Sequence, residues 1–306
     1  MTFFTEQDTN RNKSIPLSPE CGTLKNDGCR RIHFPEIIRS HHMISAKPIN
    51  DVYHMHDSYE LLLFLGGCTD CYIEHHRYRL QRGDLLIINS QEIHRAVSYE
   101  GTPYERIATH FSPELVRNYC TEQTDLLSCF EKRKNADRNL LSLPPRSLER
   151  YLYLTDHLHT AVASASFGHD ILASTYLLQL LVLANTCFYE STLIPENIMP
   201  QLSSQIMRYI DEHLTEDLSI QALADHLYMN RSHMSRKFRE QAGCSIQEYL
   251  ILKRISLAKT LLKQGKSVTD TCELSGFHDY SNFIRTFKKY YAQVSPGHYR
   301  VTNMES

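Results

Sequence analysis

The sequence predicts an α+β chain of several parts: a β-sandwich or barrel with an αα-hairpin behind it, then an all-α C-terminal domain. Three observations carry this. From about Ile32 to Phe111, short apolar runs alternate with turn signals, the texture of a small all-β unit. From Arg146 to Tyr189 the apolar residues switch to helical spacing. Beyond Pro200, short helices with clear caps follow one another in an order that occurs twice.

Residues 1–30 are polar and broken by Pro16, Pro19, Gly22 and Gly28, which reads as a mobile arm. Residues 31–145 form the β unit. Its runs Glu60 to Leu65 and Asp84 to Ile88 are bounded by Gly66-Gly67, Arg82-Gly83 and Asn89-Ser90. Cys68 and Cys71 fall beside Gly66-Gly67 and read as a β-turn with two incidental thiols, because no second pair follows to complete a zinc site. The nine cysteines are otherwise scattered, which fits a reducing compartment and not a disulfide framework. No stretch is read as the roughly 18 apolar residues of a membrane helix, and the polar start is no secretory signal, so a cytoplasmic location without membrane contact is expected.

Residues 146–192 form the αα-hairpin. Its second helix, Ile171 to Tyr189, holds Leu172, Leu177, Leu178, Leu180, Leu181 and Leu183, too many for one buried face. A surface shared with a second copy of the chain is expected; packing on the open side of the barrel is the alternative. Pro195 and Pro200 mark a linker over 193–201, and residues 202–303 form the C-terminal domain.

In that domain Ser219 caps a short helix from Ile220 to Leu227, and a connection over Tyr228 to Asn230 leads into Arg231 to Glu240, stopped by Gly243. Ser245 and Glu248 then form a capping box that opens a long helix to about Gln264. Ser267 and Asp270 open another short helix to Leu274, and Asp279 caps Tyr280 to Lys289. Short helix, turn and second helix thus occur twice about 49 residues apart, in units 219–242 and 267–290, with Phe238 matching Phe287 and Arg236 matching Arg285. Two helix-turn-helix units joined by a rigid helix suit successive major grooves of double-stranded DNA. Met234, Phe238, Phe283 and Phe287 read as core anchors. The opposite faces present Ser232, Ser235 and Arg236, then Tyr280, Ser281, Ile284 and Arg285, as candidate base contacts. Lys237, Lys288 and Lys289 suit phosphates. The chain's net charge of −2 discourages nucleic-acid binding only until it is divided: residues 201–306 hold 14 Lys and Arg against 11 Asp and Glu.

From Ile206 to Arg300 the sequence closely resembles the DNA-binding domain of the AraC/XylS family. The likeness rests on Leu218-Ser-Ile with Leu223-Ala224, Met234-Ser-Arg-Lys-Phe238, Gly243 with Ser245, Tyr249-Leu250, and Arg254 with Ala258 and Leu261-Leu262. It continues through Gly276-Phe277, Asp279, Phe283, Phe287-Lys-Lys289 and Ser295-Pro296 to Tyr299-Arg300. Thr271-Cys272, Ser275 and Ala292 depart from the family pattern. The resemblance implies a homodimeric transcription regulator, more often an activator, that answers to a small-molecule effector such as a sugar and works with RNA polymerase.

His54-Met-His56, Glu60 and Gly67, followed by Gly83, Asn89, Gln91 and His94, resemble the two short motifs of the cupin barrel, with Asn89 and Gln91 in place of Pro and Gly. By that resemblance His54, His56, Glu60 and His94 stand at the metal-ligand positions. They are expected to line a small-molecule pocket with no cofactor required. A divalent metal there is the alternative, since imidazoles with one carboxylate suit Fe, Mn, Ni or Zn. Not an enzyme is the preferred expectation; the rivals are a metal-dependent cupin enzyme with a DNA-binding appendage and a constitutive DNA-binding protein with an inert dimerisation module.

Overall fold

The computed structural model describes residues 38–101, 103–133, 138–192, 196–291 and 294–304. The expected arm over 1–30 lies outside them. Two sheets face each other. The larger is built from β1 (Ile38–Ser45), β7 (Tyr104–Phe111), β2 (Tyr59–Gly66), β5 (Asp84–Ile88) and β8 (Leu140–Ser142), in that order. The smaller runs β4 (His76–Arg79), β3 (Thr69–Ile73), β6 (His94–Ser98). Alternation along β2 divides its leucines between two cores. Leu62 and Phe64 point between the sheets at Cys71, Ile73, Tyr78 and Leu80, while Leu61, Leu63 and Leu65 point outward at the helices. The turn expected at Cys68-Cys71 is shorter in the structure: β3 begins at Thr69, and Cys71 is a buried strand residue facing the sheet interior. Two one-turn helices, α1 (Pro113–Arg117) and α2 (Ser128–Glu131), follow β7.

The hairpin is α3 (Pro145–Ala163) and α4 (His169–Glu190). Leu177, Leu180, Leu181 and Ala184 of α4 join Leu154 and Leu158 of α3 and the outer face of the larger sheet in one core. The expectation that no segment is apolar enough for a membrane is corrected here: α4 is long and apolar enough to cross one, with a mean hydropathy of 1.7. Its apolarity has two sources, the buried face just named and an exposed one that keeps Ile171, Leu172, Val182 and Tyr189.

After α5 (Gln201–Glu212), the two helix-turn-helix units are α6 (Ile220–His226) with α7 (Arg231–Ala242), and α9 (Val268–Leu274) with α10 (Tyr280–Tyr290). The long helix α8 (Ile246–Lys263) joins them, and α11 (Pro296–Met304) closes the domain. Each cap read from the sequence is made. Ser219 accepts from Ala222 N, Ser267 from Asp270 N and Asp279 from Asn282 N, and the Ser245 and Glu248 capping box is reciprocal. Asn230 adds a cap for α7 by accepting from the Ser232 and His233 amides. The departures in the second unit are absorbed internally. The Ser275 hydroxyl donates to Thr271 O (2.5 Å) and the Cys272 thiol to Phe277 O (3.4 Å), so two of these small polar groups are satisfied within the buried turn, while the Thr271 hydroxyl has no partner among the described residues.

The barrel packs on this domain. Tyr53, Met55, Tyr72 and Ile93 of the barrel share one core with Ile206, Met234, Phe238, Tyr249 and Leu252. Gly243 ends α7 with φ of 77°, and a methyl group there would overlap the guanidinium of Arg95, which reaches across from β6. Gly168 has nearly the same backbone (φ 78°) but open space around it. Gly168→Ala is therefore expected to lose about 1 kcal/mol from left-handed strain alone. Gly243→Ala is expected to lose more than Gly168→Ala, because the Arg95 guanidinium must leave its place over the Tyr72 ring to make room. Urea unfolding of the two variants measures the difference; equal losses would mean that Arg95 swings aside without cost.

Candidate ligand site and nucleic-acid interface

Four histidines and a glutamate meet at one end of the barrel. Glu60 in β2 lies directly across from His110 in β7, so both side chains project from the same face. His54 forms an isolated bridge with His94 at the start of β6. His56 Nε2 is 3.0 Å from Glu60 Oε2, His94 Nε2 is 3.4 Å from the same oxygen, and His110 Nε2 is 3.6 Å from Glu60 Oε1. Glu60, His56 and His94 are buried at 2%, 6% and 5% exposure, so the carboxylate has its partners in place of water.

The outer ring nitrogens are held by the backbone. The Nδ1 atoms of His54, His56 and His94 lie 3.0, 2.7 and 3.1 Å from the carbonyls of Val52, Ser58 and Glu92. A carbonyl oxygen only accepts, so each Nδ1 carries a proton and each Nε2 is left to face inward. Burial by itself would raise the Glu60 carboxyl, but His110, His56 and His94 outweigh it and hold it well below the usual range. Burial, reinforced by the neighbouring His94, pushes His54 down to about 3. Burial also takes His110 to about 3 against the pull of Glu60. His94 moves up instead, because Glu60 more than offsets its desolvation.

The structure thus brings His54, His56, Glu60 and His94 together, as the sequence reading places them, and adds His110. Among the described residues, His56, Glu60 and His110 form a group able to hold a metal, their ligand atoms all within 4.8 Å of one another, while His54 sits outside it with its ring centre 4.4 Å from that of His94. His110 escapes a reading of the sequence because its partner lies fifty residues away across a strand pair, and no short motif contains it. Asn89 and Gln91 do not join the cluster. Asn89 Oδ1 accepts from Gln91 N (2.9 Å) to make the turn, and both line an adjoining cleft of about 330 Å³ with Tyr59, Arg117 and Arg133.

Beyond His94 the strand turns the next side chain the other way. Arg95 lies 4.4 Å from the centre of the Tyr72 ring and 5.3 Å from that of Tyr53, against the end of α7. Along α8, Lys253 reaches Glu74 (2.5 Å) and Asp211 (3.1 Å), Ser256 donates to Gln91 O (2.8 Å), and Lys259 pairs with Asp57 (2.8 Å). These residues share one face of the helix at successive spacings of three.

The opposite side of the C-terminal domain is open. Ser232, Arg236, Tyr280, Ser281, Arg285 and Lys289 are exposed or half-buried there, as are Ser235, Lys237, Ile284 and Lys288. Met234, Phe238, Phe283 and Phe287 are fully buried, as anchors should be. Arg236 Nη2 rests 3.3 Å from His233 Nδ1, and Arg285 donates to Asn282 Oδ1 (3.2 Å). His233 and Asn282 occupy the third position of each helix and are exposed. The sequence reading passes over both, though the 49-residue offset that pairs the arginines pairs them too.

Residues 42–181 match the model of the AraC-like ligand binding domain and residues 223–301 that of a helix-turn-helix domain. An uncharacterized HTH-type transcriptional regulator of Staphylococcus aureus (strain MSSA476) is 25% identical over 240 residues, 76% of this chain and 30% of that protein. The chain thus spans about a third of the length of that relative. The probable transcriptional regulator LumQ of Photobacterium leiognathi is 23% identical over 81% of this chain and 91% of its own. Among solved structures, ToxT from Vibrio cholerae O395 aligns with 88% of this chain and 99% of its own at 14% identity and a TM-score of 0.36.

The histidine shifts set the acid behaviour of the chelator-treated protein. In the unfolded chain His54 and His110 take up protons near pH 6.5; in the barrel they do so only near pH 3. Folding stability is therefore expected to fall as the pH drops from 6.5 towards 3, by up to about 1.4 kcal/mol per unit for each ring. Glu60 adds a loss of the same sign at lower pH, where its depressed carboxyl finally protonates. His54→Gln and His110→Gln should each flatten the upper part of the slope in urea titrations. Unchanged slopes in both would show that the rings are not buried neutral.

Proposed function

Because the chain belongs to the AraC family of transcriptional regulators, with a ligand-binding barrel and a helix-turn-helix DNA-binding region, we propose that it binds specific operators as a dimer. We further propose that a small polar molecule in the barrel, a sugar or related metabolite, sets how it does so. The observation that carries this is the double-sided sheet β4-β3-β6. Its inner face supplies His94 to the cluster and its outer face supplies Tyr72 and Arg95 to the DNA-binding domain. A ligand that shifts β6 changes both sides at once, which is the differential contact that linkage between two sites requires.

In this reading α7 and α10 enter the grooves. Arg236 and Arg285 grip guanine edges, Ser232, Ser235, Tyr280, Ser281 and Ile284 line the approach, and Lys237, Lys288 and Lys289 hold phosphates. The exposed apolar side of α4 supports a second copy as its partner, and an activating role places RNA polymerase beside the bound dimer. The barrel leaves the recognition faces uncovered while gripping α8 between them. Regulation in this reading therefore acts on the relative placement of the two units and not by masking them.

Genome-wide binding of the purified chain beside the Arg236→Ala/Arg285→Ala double variant tests the reading. Discrete sites are expected for the wild type, each arginine contributing about 1–3 kcal/mol of discrimination. Lys288→Ala/Lys289→Ala should weaken all sites alike and flatten the salt dependence. Weak, salt-labile binding that ignores the arginines would sink the interface. At the barrel, Arg95→Ala is expected to raise amide exchange across residues 240–253 by about tenfold while leaving the larger sheet protected. Exchange confined to β6 would disconnect the two sides.

A further inference from the structure

We propose that the barrel binds one divalent first-row transition-metal ion on His56, Glu60 and His110, with His94 as the adjacent donor. This deepens the reading of the barrel as a ligand-binding domain and rests on it. The ligand set differs from the one the cupin-like spacing implies: His110 enters and His54 leaves.

Three observations carry the inference. The first is spacing. Around an ion with bonds of about 2.1 Å, neighbouring ligand atoms sit about 3.0–3.5 Å apart. The Nε2 atoms of His56, His94 and His110 lie 3.0, 3.4 and 3.6 Å from the Glu60 oxygens. The candidate ligand atoms of His56, Glu60 and His110 all fall within 4.8 Å of one another.

The second is the direction of the protons. His56 and His94 each donate Nδ1–H to a carbonyl, at Ser58 and Glu92. That arrangement fixes the tautomer whose Nε2 lone pair points inward, and outer hydrogen bonds of this kind accompany ligating histidines. Neutral rings in that tautomer set two lone pairs beside one carboxylate oxygen, an arrangement that a bound cation relieves, as a proton shared between a ring and Glu60 also does.

The third is an orphaned atom. His94 Nε2 is buried, aimed at Glu60 Oε2, and has no hydrogen-bond partner among the described residues. An imidazole-rich set with one carboxylate selects Mn, Fe, Co, Ni or Zn over Mg or Ca, whose ligands are oxygens. Two histidines and one carboxylate leave coordination positions open. Those positions accept oxygen donors from a small molecule, which gives the barrel a way to recognise a hydroxyl- or carboxylate-bearing effector.

The test uses the untagged full chain, stripped with chelator and titrated with Co²⁺ and Zn²⁺. Calorimetry should give one ion per chain, and Co²⁺ should develop ligand-field absorption. Glu60→Gln and His110→Ala should each weaken binding by at least about 100-fold, while His54→Ala should change it less than about threefold. Circular dichroism and DNA binding of each variant show that it is folded. No stoichiometric ion in a folded, DNA-binding chain overturns the proposal and leaves the regulator reading intact. Loss of binding in His54→Ala with retention in His110→Ala also overturns it, in favour of the ligand set implied by spacing. Because His110→Ala removes a ring from the packed face of β7, His110→Gln is made in parallel and should show the same loss.

Discussion

A strand can bury both faces only if each has somewhere to go, and the arrangement of this chain depends on how β3 and β6 meet that requirement. On the inner face, Cys71, Ile73 and His94 close the barrel. On the outer face, Tyr72 and Arg95 have no second barrel layer to meet, and the DNA-binding domain supplies one. A period of two residues thus places the ligand cluster and the domain contact on adjacent side chains of one strand. The barrel's other sheet does the same with α3 and α4, so the barrel lies between the hairpin and the DNA-binding helices.

The contact with the DNA-binding domain is more polar than a typical core. Lys253 is held between Glu74 and Asp211, and Lys259 lies at 4% exposure against Asp57. The two carboxylates outweigh desolvation and raise the Lys253 ammonium, while burial lifts Asp211 to about 6 despite Lys253. Ion pairs of this kind add little net stability, but removing one partner leaves a buried charge, so they fix register strongly. Tyr249, Lys253, Ser256 and Lys259 span eleven residues of α8, about 15 Å of helix. The barrel therefore holds α8 along more than half its length.

What can be read from the sequence follows how local each determinant is. Caps at Ser219, Ser245, Ser267 and Asp279 are each decided within four residues, and all four are legible. The same holds for β2 and β5, whose apolar runs end at glycine or asparagine turns. The triad is legible only in part: His56 and Glu60 are four residues apart, but His110 is defined by the pairing of β2 with β7. Gly243 reads as a helix stop, and it is one. Its second role, making room for Arg95, is a contact between domains that no spacing encodes. Lys253 and Lys259 look like a solvated helix face in sequence, because their acidic partners are dispersed over Asp57, Glu74 and Asp211.

The two recognition helices leave one further constraint. Their anchors, Met234 and Phe238 in α7 and Phe283 and Phe287 in α10, are fully buried in a core that also contains Tyr249, Ile255 and Leu262 of α8. Neither helix can turn about its own axis without breaking that core, so the exposed arginines keep their direction relative to α8. The barrel meets this domain along α8, at the Gly243 stop where Arg95 fills the space beside the end of α7, and at Asp211 of α5 and Tyr299 of α11. Packed helices shift between discrete arrangements instead of deforming smoothly. Arg95, lying over the Tyr72 ring and near that of Tyr53 and filling the space beside Gly243, is the barrel side chain that touches the end of α7.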